Sequence, residues 1–452
     1  MPIKSKPRNI LIMCESSGWQ WGVGAEFINF ELKNGNSYEV LDLSFLGDFK
    51  LKTRIRRLLG GFKMRRETLA FFKRKNLQVS KIQRLGNIHY RQKNLHDLLE
   101  QSPAINSIVE RCQTIDLELI QGKDQYARIV QEEFRKSDLV YSVLSGIDFS
   151  DVEKIVTVNG RFTKSATVVK YCEDSGIKLA LLEGGNKNSS FQIFEVSPHS
   201  TIEVQGKITQ LWNSAIEPYR SEISREFLEN LVINRRLPGV DFRSKIIWDK
   251  KPKFSGKKIC AFFASSEWEY IGVREEVQPG HFKNQIEAFE ALLTCLDKDI
   301  WDIYLRRHPA GPNADQCDGE KSLWIQFQNF PNVFVIEPSS EIDSIALGLK
   351  ADLIASYGST INIEFYARKL SNAITLGPAP WNNLLPERYM PTTEKLKDFI
   401  SSINSNIQMD KLLPWAYYQM ESGIEFELIT TDDKTGRWKM KEKMKEESPT
   451  SE

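Results

Sequence analysis

No stretch of this 452-residue sequence runs for the ~18 apolar residues that a membrane-spanning helix needs, so no spanning segment is expected. The first residues, Met1-Pro2-Ile3-Lys4-Ser5-Lys6-Pro7-Arg8, lead straight into a strand-like run from Asn9 to Met13. They lack the long apolar core and small-residue cleavage site of a signal peptide, so none is expected. Cysteine is sparse and scattered: Cys14, Cys112, Cys172, Cys260, Cys295 and Cys317 form no C-x-x-C pair. That pattern argues for buried free thiols in a reducing compartment rather than a metal site or a disulfide framework. Neither sign of charge prevails, with 61 Lys and Arg against 60 Asp and Glu, so no global field draws the chain to nucleic acid. No internal repeat of solenoid period is present. No Asp-x-Asp motif follows a strand where it would hold Mg²⁺, and no metal is expected.

What is present is material for cores. Hydrophobic residues make up 41% and aromatics 11%, enough for a folded protein whose length implies two or three domains. The second half alternates regularly. Lys257 to Ala264, Ile300 to Leu305, Asn332 to Ile336, Asp352 to Ser356 and Ser371 to Leu376 read as strands. Helical patterns lie between them at Asn284 to Leu296, Glu341 to Leu349 and from Gly358 to about Lys369. That rhythm implies parallel strands with crossover helices in a doubly wound sheet.

The first half carries the same rhythm at Asn9 to Met13, Tyr38 to Leu43, Leu139 to Val143, Lys154 to Val158 and Lys178 to Leu182, with a helical insertion over about 50–135. The expected organisation is an N-terminal Rossmann-like domain over 1–235, a linker over 236–256 and a second Rossmann-like domain over 257–385. A helical segment over 386–430 and a charged, disordered tail over 431–452 complete it.

In open α/β sheets ligands bind beyond the carboxyl ends of the strands, so the residues following each strand carry the functional expectation. In the second domain these are Ser265-Ser266, Arg307-His308-Pro309, Glu337 to Ser340 and Tyr357-Gly358-Ser359-Thr360. Gly358 permits close backbone approach, and Ser359 and Thr360 open a helix where amides point outward, a geometry that suits phosphate. Glu364 stands one turn deeper and is placed to accept from ribose hydroxyls; a plain N-cap followed by a solvated glutamate is the alternative. His308 can donate to a phosphate or leaving nucleotide and, with a pKa near neutrality, carry a proton; a structural loop histidine is the alternative. Arg307 reads as a phosphate partner or a surface charge.

In the first domain, Asn159-Gly160-Arg161 follows a strand, and Arg161 is placed to meet an anionic sugar or phosphate, or is a surface arginine after a turn. Glu15 to Gly24 follows the first strand, with Gly18, Gly22 and Gly24 not spaced as a dinucleotide fingerprint. Its tryptophans, Trp19 foremost, suit stacking on sugar rings or core packing. We take Glu15, Gly18, Trp19, Asn159 and Arg161 as acceptor-binding candidates. From Lys50 to Lys75 there are eleven Lys and Arg against one acid, Glu67, interleaved with Leu58, Leu59, Phe62, Phe71 and Phe72. This suits a membrane surface or an anionic acceptor, with a solvated helical face as the alternative.

Residues 257 to 380 resemble the C-terminal domain of GT-B glycosyltransferases, in particular bacterial capsule and surface-polysaccharide transferases of the Kdo and sialic-acid type. His308-Pro309 matches their His-Pro motif and Ser359-Thr360 their downstream serine motif, both of which grip the donor nucleotide in that family. Gly377-Pro378 and the helices that follow fit as well. The acidic-acidic-Gly motif of related sialyltransferases is matched by Leu182-Glu183-Gly184, which departs from it at Leu182. The resemblance therefore implies two facing Rossmann-like domains and a cytoplasmic glycosyltransferase, peripheral on the inner face of a membrane if residues 50–75 dock there. A nucleotide sugar, CMP-linked by preference, would sit on Ser265, Ser266, Arg307, His308, Gly358, Ser359, Thr360 and Glu364. A glycan or lipid-linked acceptor would meet Glu183 as base, with His308 assisting. The alternatives are a polyol-phosphate transferase or nucleotide-sugar epimerase on the same scaffold, and a non-catalytic nucleotide-sugar-binding protein.

Overall fold

The computed structural model describes residues 8–15, 17–46, 51–81, 123–186, 189–234, 254–265, 280–308, 324–402, 408–431 and 438–441. The described residues fall into two compact units: unit 1 holds those up to Pro198 and from Gly423 onward, and unit 2 holds His199–Ser422.

Unit 1 is laid down as β1 (Arg8–Met13), α1 (Gly18–Lys33), β2 (Glu39–Asp42), α2 (Leu51–Arg74), β3 (Val79–Lys81), α3 (Lys123–Ser145), β4 (Val152–Val158), α4 (Thr163–Ser175), β5 (Lys178–Gly184) and β6 (Ser190–Phe194). The first five strands are parallel in the order β3-β2-β1-β4-β5, and β6 runs antiparallel to β5. Chain direction reverses its sense of travel between β1 and β4, the switch point of a doubly wound sheet. Alternation along each strand feeds two cores. Leu11 and Met13 pack on one face with Val156, Val158 and Leu182; Ile10 and Ile12 pack on the other with Ile155 and Val168.

Unit 2 begins with α5 (Thr201–Ser214) and α6 (Tyr219–Asn234), then continues as β7 (Lys258–Phe263), α7 (Gln285–Cys295), β8 (Trp301–Arg306), β9 (Val333–Ile336), α8 (Ser344–Gly348), β10 (Leu353–Ser356), α9 (Ile361–Ala367), β11 (Ala373–Thr375), α10 (Thr393–Ser401) and α11 (Leu413–Glu421). All five strands are parallel in the order β9-β8-β7-β10-β11, with the switch point between β7 and β10. Again the alternation fills both faces: Ile259, Ala261 and Phe263 on one, Cys260, Phe262 and Ala264 on the other. The larger of these, Ile259, Phe262 and Phe263, each contribute roughly 1.5–3 kcal/mol by leaving water. Several helices of this unit start where the sequence offers acceptors. Asn284 caps α7 through the Glu287 amide at 2.9 Å, and Asp343 caps α8 through Ile345 and Ala346.

The chain then returns to unit 1. β12 (Ile424–Glu425) adds antiparallel to β6, and β13 (Ile429–Thr431) pairs with β14 (Trp438–Met440). The buried carboxylate of Glu26 in α1 fixes this return by accepting from the amides of Glu427 at 3.0 Å, Leu428 at 2.6 Å and Ile429 at 2.7 Å.

Both units are Rossmann-like α/β domains, in line with the sequence reading. Several details differ from it, among them β12 and most of β13, which lie in the stretch expected to be a helical segment. Leu139 to Val143, expected as a strand, lies inside α3. Helices α5 and α6, expected in the first domain, bury Ile208, Phe227, Leu228 and Leu231 in a core of unit 2. Finally, Trp438–Met440, expected in a disordered tail, forms β14, because Met440 and Trp438 pack with the core of unit 1.

Candidate functional site

In unit 1 the carboxyl ends of β1, β4 and β5 bring most of the expected residues together. Asn159 follows β4 with a left-handed φ of 68°, and Gly160 follows at 83°, the turn folding tightly against Leu181. Asparagine tolerates this region because its short amide makes local bonds. The Asn159 amide group donates to Glu183 Oε2 at 2.6 Å, while its oxygen accepts from the Arg161 amide at 3.0 Å. Glu183 Oε1 accepts from the Gly184 amide at 3.0 Å, which leaves the half-buried carboxylate doubly braced. Trp19, in the first turn of α1, has its ring beside Gly184, where an added Cβ would lie 3.5 Å from Cζ2. Glu15 is half-buried next to it, and its carbonyl accepts from the Trp21 indole at 3.0 Å. Gly18 starts α1, and Arg161 is buried just before α4.

The segment from Gly18 is thus a helix rather than a loop. Trp21 is core, beneath the Arg65 guanidinium at 5.2 Å. Gly22 and Gly24 serve packing: a Cβ on either would lie 2.8 Å from Ile429 or 2.9 Å from Met13.

A second polar group at this edge was not foreseen. Asp42 at the end of β2 pairs with Arg65 of α2 and accepts from the Ser44 hydroxyl at 2.6 Å. Lys164, in the first turn of α4, donates to the Ser44 carbonyl at 2.8 Å. The aspartate with a serine two residues on was a readable turn signal; nothing in sequence spacing linked it to Arg65 or Lys164. Phe71 and Phe72 of the basic stretch are buried in the core of unit 1, where Phe72 meets Trp21 of α1. Leu58, Leu59 and Phe62 lie outside the described side chains.

In unit 2 the expected donor residues share the carboxyl edge around the β7/β10 switch point. The ends of β8 and β10 stand two strand spacings apart, about 10 Å, with β7 between them. Ser265 is buried; its hydroxyl donates to the Tyr357 carbonyl at 2.9 Å and its amide to Gln285 at 3.0 Å. It therefore clasps β7 to β10 instead of presenting its hydroxyl to a ligand. Ser266 and Pro309 lie outside the described residues. Gly358 has φ 82°, a conformation that favours glycine, and Ser359 and Thr360 follow it half-buried and exposed. Thr360 makes no side-chain cap on α9, so its hydroxyl is not spent there. Glu364 is buried at 2% exposure within that short helix.

Arg307 is buried and paired with Glu337 at 2.5 Å, so it is not a surface charge. Its neighbour Arg306 is also buried and grips the next loop through the carbonyls of Glu337, Pro338 and Ser340. Burial pushes the Arg306 guanidinium down to about 10. His308 is half-buried at the end of β8. Burial, with a smaller contribution from the Arg306 charge, pushes its imidazole down to about 4. The ring is therefore neutral at pH 7 and suited to donating a hydrogen bond, whereas the sequence placed its titration near neutrality. Asn362, not foreseen, ties α9 to the end of β11 through the Ile374 carbonyl at 2.8 Å and the Thr375 hydroxyl at 3.0 Å.

Among the described residues no group of three or more His, Cys, Asp or Glu side chains is placed to hold a metal ion, and no helix is long and apolar enough to cross a membrane.

No protein-family profile and no curated protein sequence matches the chain. Among solved structures it is similar to the UDP-GlcNAc 2-epimerase of Neisseria meningitidis bound to UDP-GlcNAc. That match has 12% identity and a TM-score of 0.30, over 93% of this chain and 95% of that one. A glycosyltransferase from Rickettsia africae matches at 14% identity and a TM-score of 0.25, over 92% and 93%. MurG of Acinetobacter baumannii matches at 10% and 0.25, over 92% and 96%. At these scores the strand order described above, not the matches, assigns the fold.

Proposed function

We propose that the protein is a glycosyltransferase of GT-B type, moving a sugar from a nucleotide-activated donor to a glycan or lipid-linked acceptor. One observation carries this reading: each doubly wound unit gathers polar groups at the carboxyl edge around its switch point, and the two sets differ in chemistry. Unit 2 offers a neutral imidazole, His308, and a Gly358-Ser359-Thr360 turn with an unspent hydroxyl, donors for a nucleotide phosphate. Unit 1 offers the braced carboxylate of Glu183. A carboxylate in that position takes the proton from an acceptor hydroxyl as its oxygen bonds to the anomeric carbon. The sugar–phosphate bond breaks at the same centre, and the nucleotide leaves with the bonding pair. Arg161, two residues after Asn159, and Trp19, whose ring lies near Gly184, suit an acceptor with an anionic group and a sugar ring.

A thermal-shift panel of CMP-, CDP-, UDP-, GDP- and dTDP-linked sugars tests the donor half. One class, CMP-linked by preference, should raise the midpoint, since binding at a hundredfold excess over Kd adds about 2.7 kcal/mol. His308→Ala should remove that shift. A chain that ignores every donor sinks the reading. Product analysis then separates transfer from epimerisation, because an epimerase turns over without an acceptor.

A further inference from the structure

We infer that Asn159 is the positioning residue of the Glu183 carboxylate, which rests on the reading of Glu183 as the base. Strand pairing sets the two opposite each other. Val158 of β4 is in register with Leu182 of β5, and the Asn159 amide extends that ladder to the Leu182 carbonyl at 2.8 Å. The next position on each strand is therefore Asn159 and Glu183. The chain turns at Asn159 through φ 68°, which holds the side chain over the edge of the sheet, buried at 3% exposure. Both ends of its amide are engaged. The oxygen accepts from the Arg161 backbone and fixes the amide plane; within that plane one of the two N–H groups of the nitrogen donates to Glu183 Oε2 at 2.6 Å.

The consequence for Glu183 is orientational. The last torsion of a glutamate is broad, so an unbraced carboxylate samples many planes. Here Oε2 is held by Asn159 and Oε1 by the Gly184 amide at 3.0 Å, which selects one plane. A proton acceptor is effective only when its lone pair meets the hydroxyl in a near-attack geometry, and a misplacement of about 1 Å costs on the order of a hundredfold. Asn159 therefore acts on turnover through Glu183, its amide plane being fixed by the bonds to Glu183 and to the Arg161 backbone. A non-glycine residue held at positive φ beside a reacting group is the kind of site where such strain is retained.

The test is a double-mutant cycle on the full chain, reading nucleotide release from the donor that the thermal-shift panel selects. Asn159→Gly keeps the left-handed turn without steric cost and removes the amide. It should lower kcat by roughly tenfold to a hundredfold while leaving the donor KM within about twofold. Asn159→Asp keeps the acceptor for the Arg161 amide but sets an oxygen against Glu183, and should lower kcat at least as far. In a Glu183→Gln background, Asn159→Gly should cost nothing further, because the carboxylate it orients is gone. An equal loss in both backgrounds, or a lowered melting point with unchanged kcat, overturns the positioning role. If Glu183→Gln itself leaves kcat intact, or no donor binds, the base reading falls first and takes this one with it.

Discussion

The two carboxyl edges share a strand order yet are built differently. At the edge of unit 1 the polar side chains bind one another as well as the backbone: Asn159 to Glu183, Arg65 and Ser44 to Asp42. At the edge of unit 2 they mostly bind backbone carbonyls: Ser265 to Tyr357, Arg306 to the loop from Glu337, Asn362 to Ile374. Side chains tied to the backbone make a fixed frame, suited to a ligand that must be held without rearrangement. Side chains tied to each other set the direction of one group, suited to a step in which that group reacts. The same topology thus carries a backbone-tied frame in one unit and a side-chain-tied carboxylate in the other.

Three substitutions sharpen or break this contrast. The largest effect is expected at Glu26. Replacing it by Ala removes the acceptor for three backbone amides and should cost unit 1 about 3 kcal/mol, seen as accelerated hydrogen exchange at residues 427–429. Exchange in β7 and β8 should be unchanged; a matching loss in unit 2 would mean the units do not hold their stability separately. Next comes Gly377→Ala. Its Cβ would lie 2.6 Å from the body of the Tyr357 ring, one residue before the Gly358 turn. Overpacking there should cost about 2 kcal/mol and abolish the donor-induced shift while sparing unit 1. Retention of that shift would remove the turn at Gly358 from the binding frame.

The smallest effect concerns pH. The His308 imidazole is lowered to about 4 in the folded chain, against about 6.5 when unfolded. Above pH 6.5 both states are neutral and the group contributes nothing. As pH falls through the window from 6.5 to 4 only the unfolded state takes the proton, so stability is lost. At pH 5 the loss is on the order of 1 kcal/mol, allowing for the solvent a half-buried ring retains. His308→Gln should flatten that part of a melting-point profile. An unchanged profile would place the ring in water rather than in the frame.

Much of this was legible from residues alone, for reasons the structure makes plain. β7, β8 and β10 are buried on both faces, so they read as largely apolar runs, broken in β8 by Asp302, and parallel strands follow from that pattern without any coordinates. Glu183, Asn159 and His308 were found because they directly follow or end such strands. Their bonds were not, since Asn159 meets Glu183 only once β4 and β5 are known to be neighbours. Leu139 to Val143 was misread because five residues cannot separate the two periods. Val140, Val143 and Leu144 are buried and Tyr141 and Ser142 exposed, which is helical spacing. The domain boundary was placed too late because α5 and α6 read as helices that either core could accept.

The return of the chain to unit 1 at Gly423 bears on how the protein is made. A ribosome synthesises the whole of His199–Ser422 before it reaches the partners of Glu26. During translation the buried carboxylate of α1 therefore waits for amides some four hundred residues downstream. The first unit begun is the last to be completed, and a message cut short near its end would yield a finished second unit joined to an open first one.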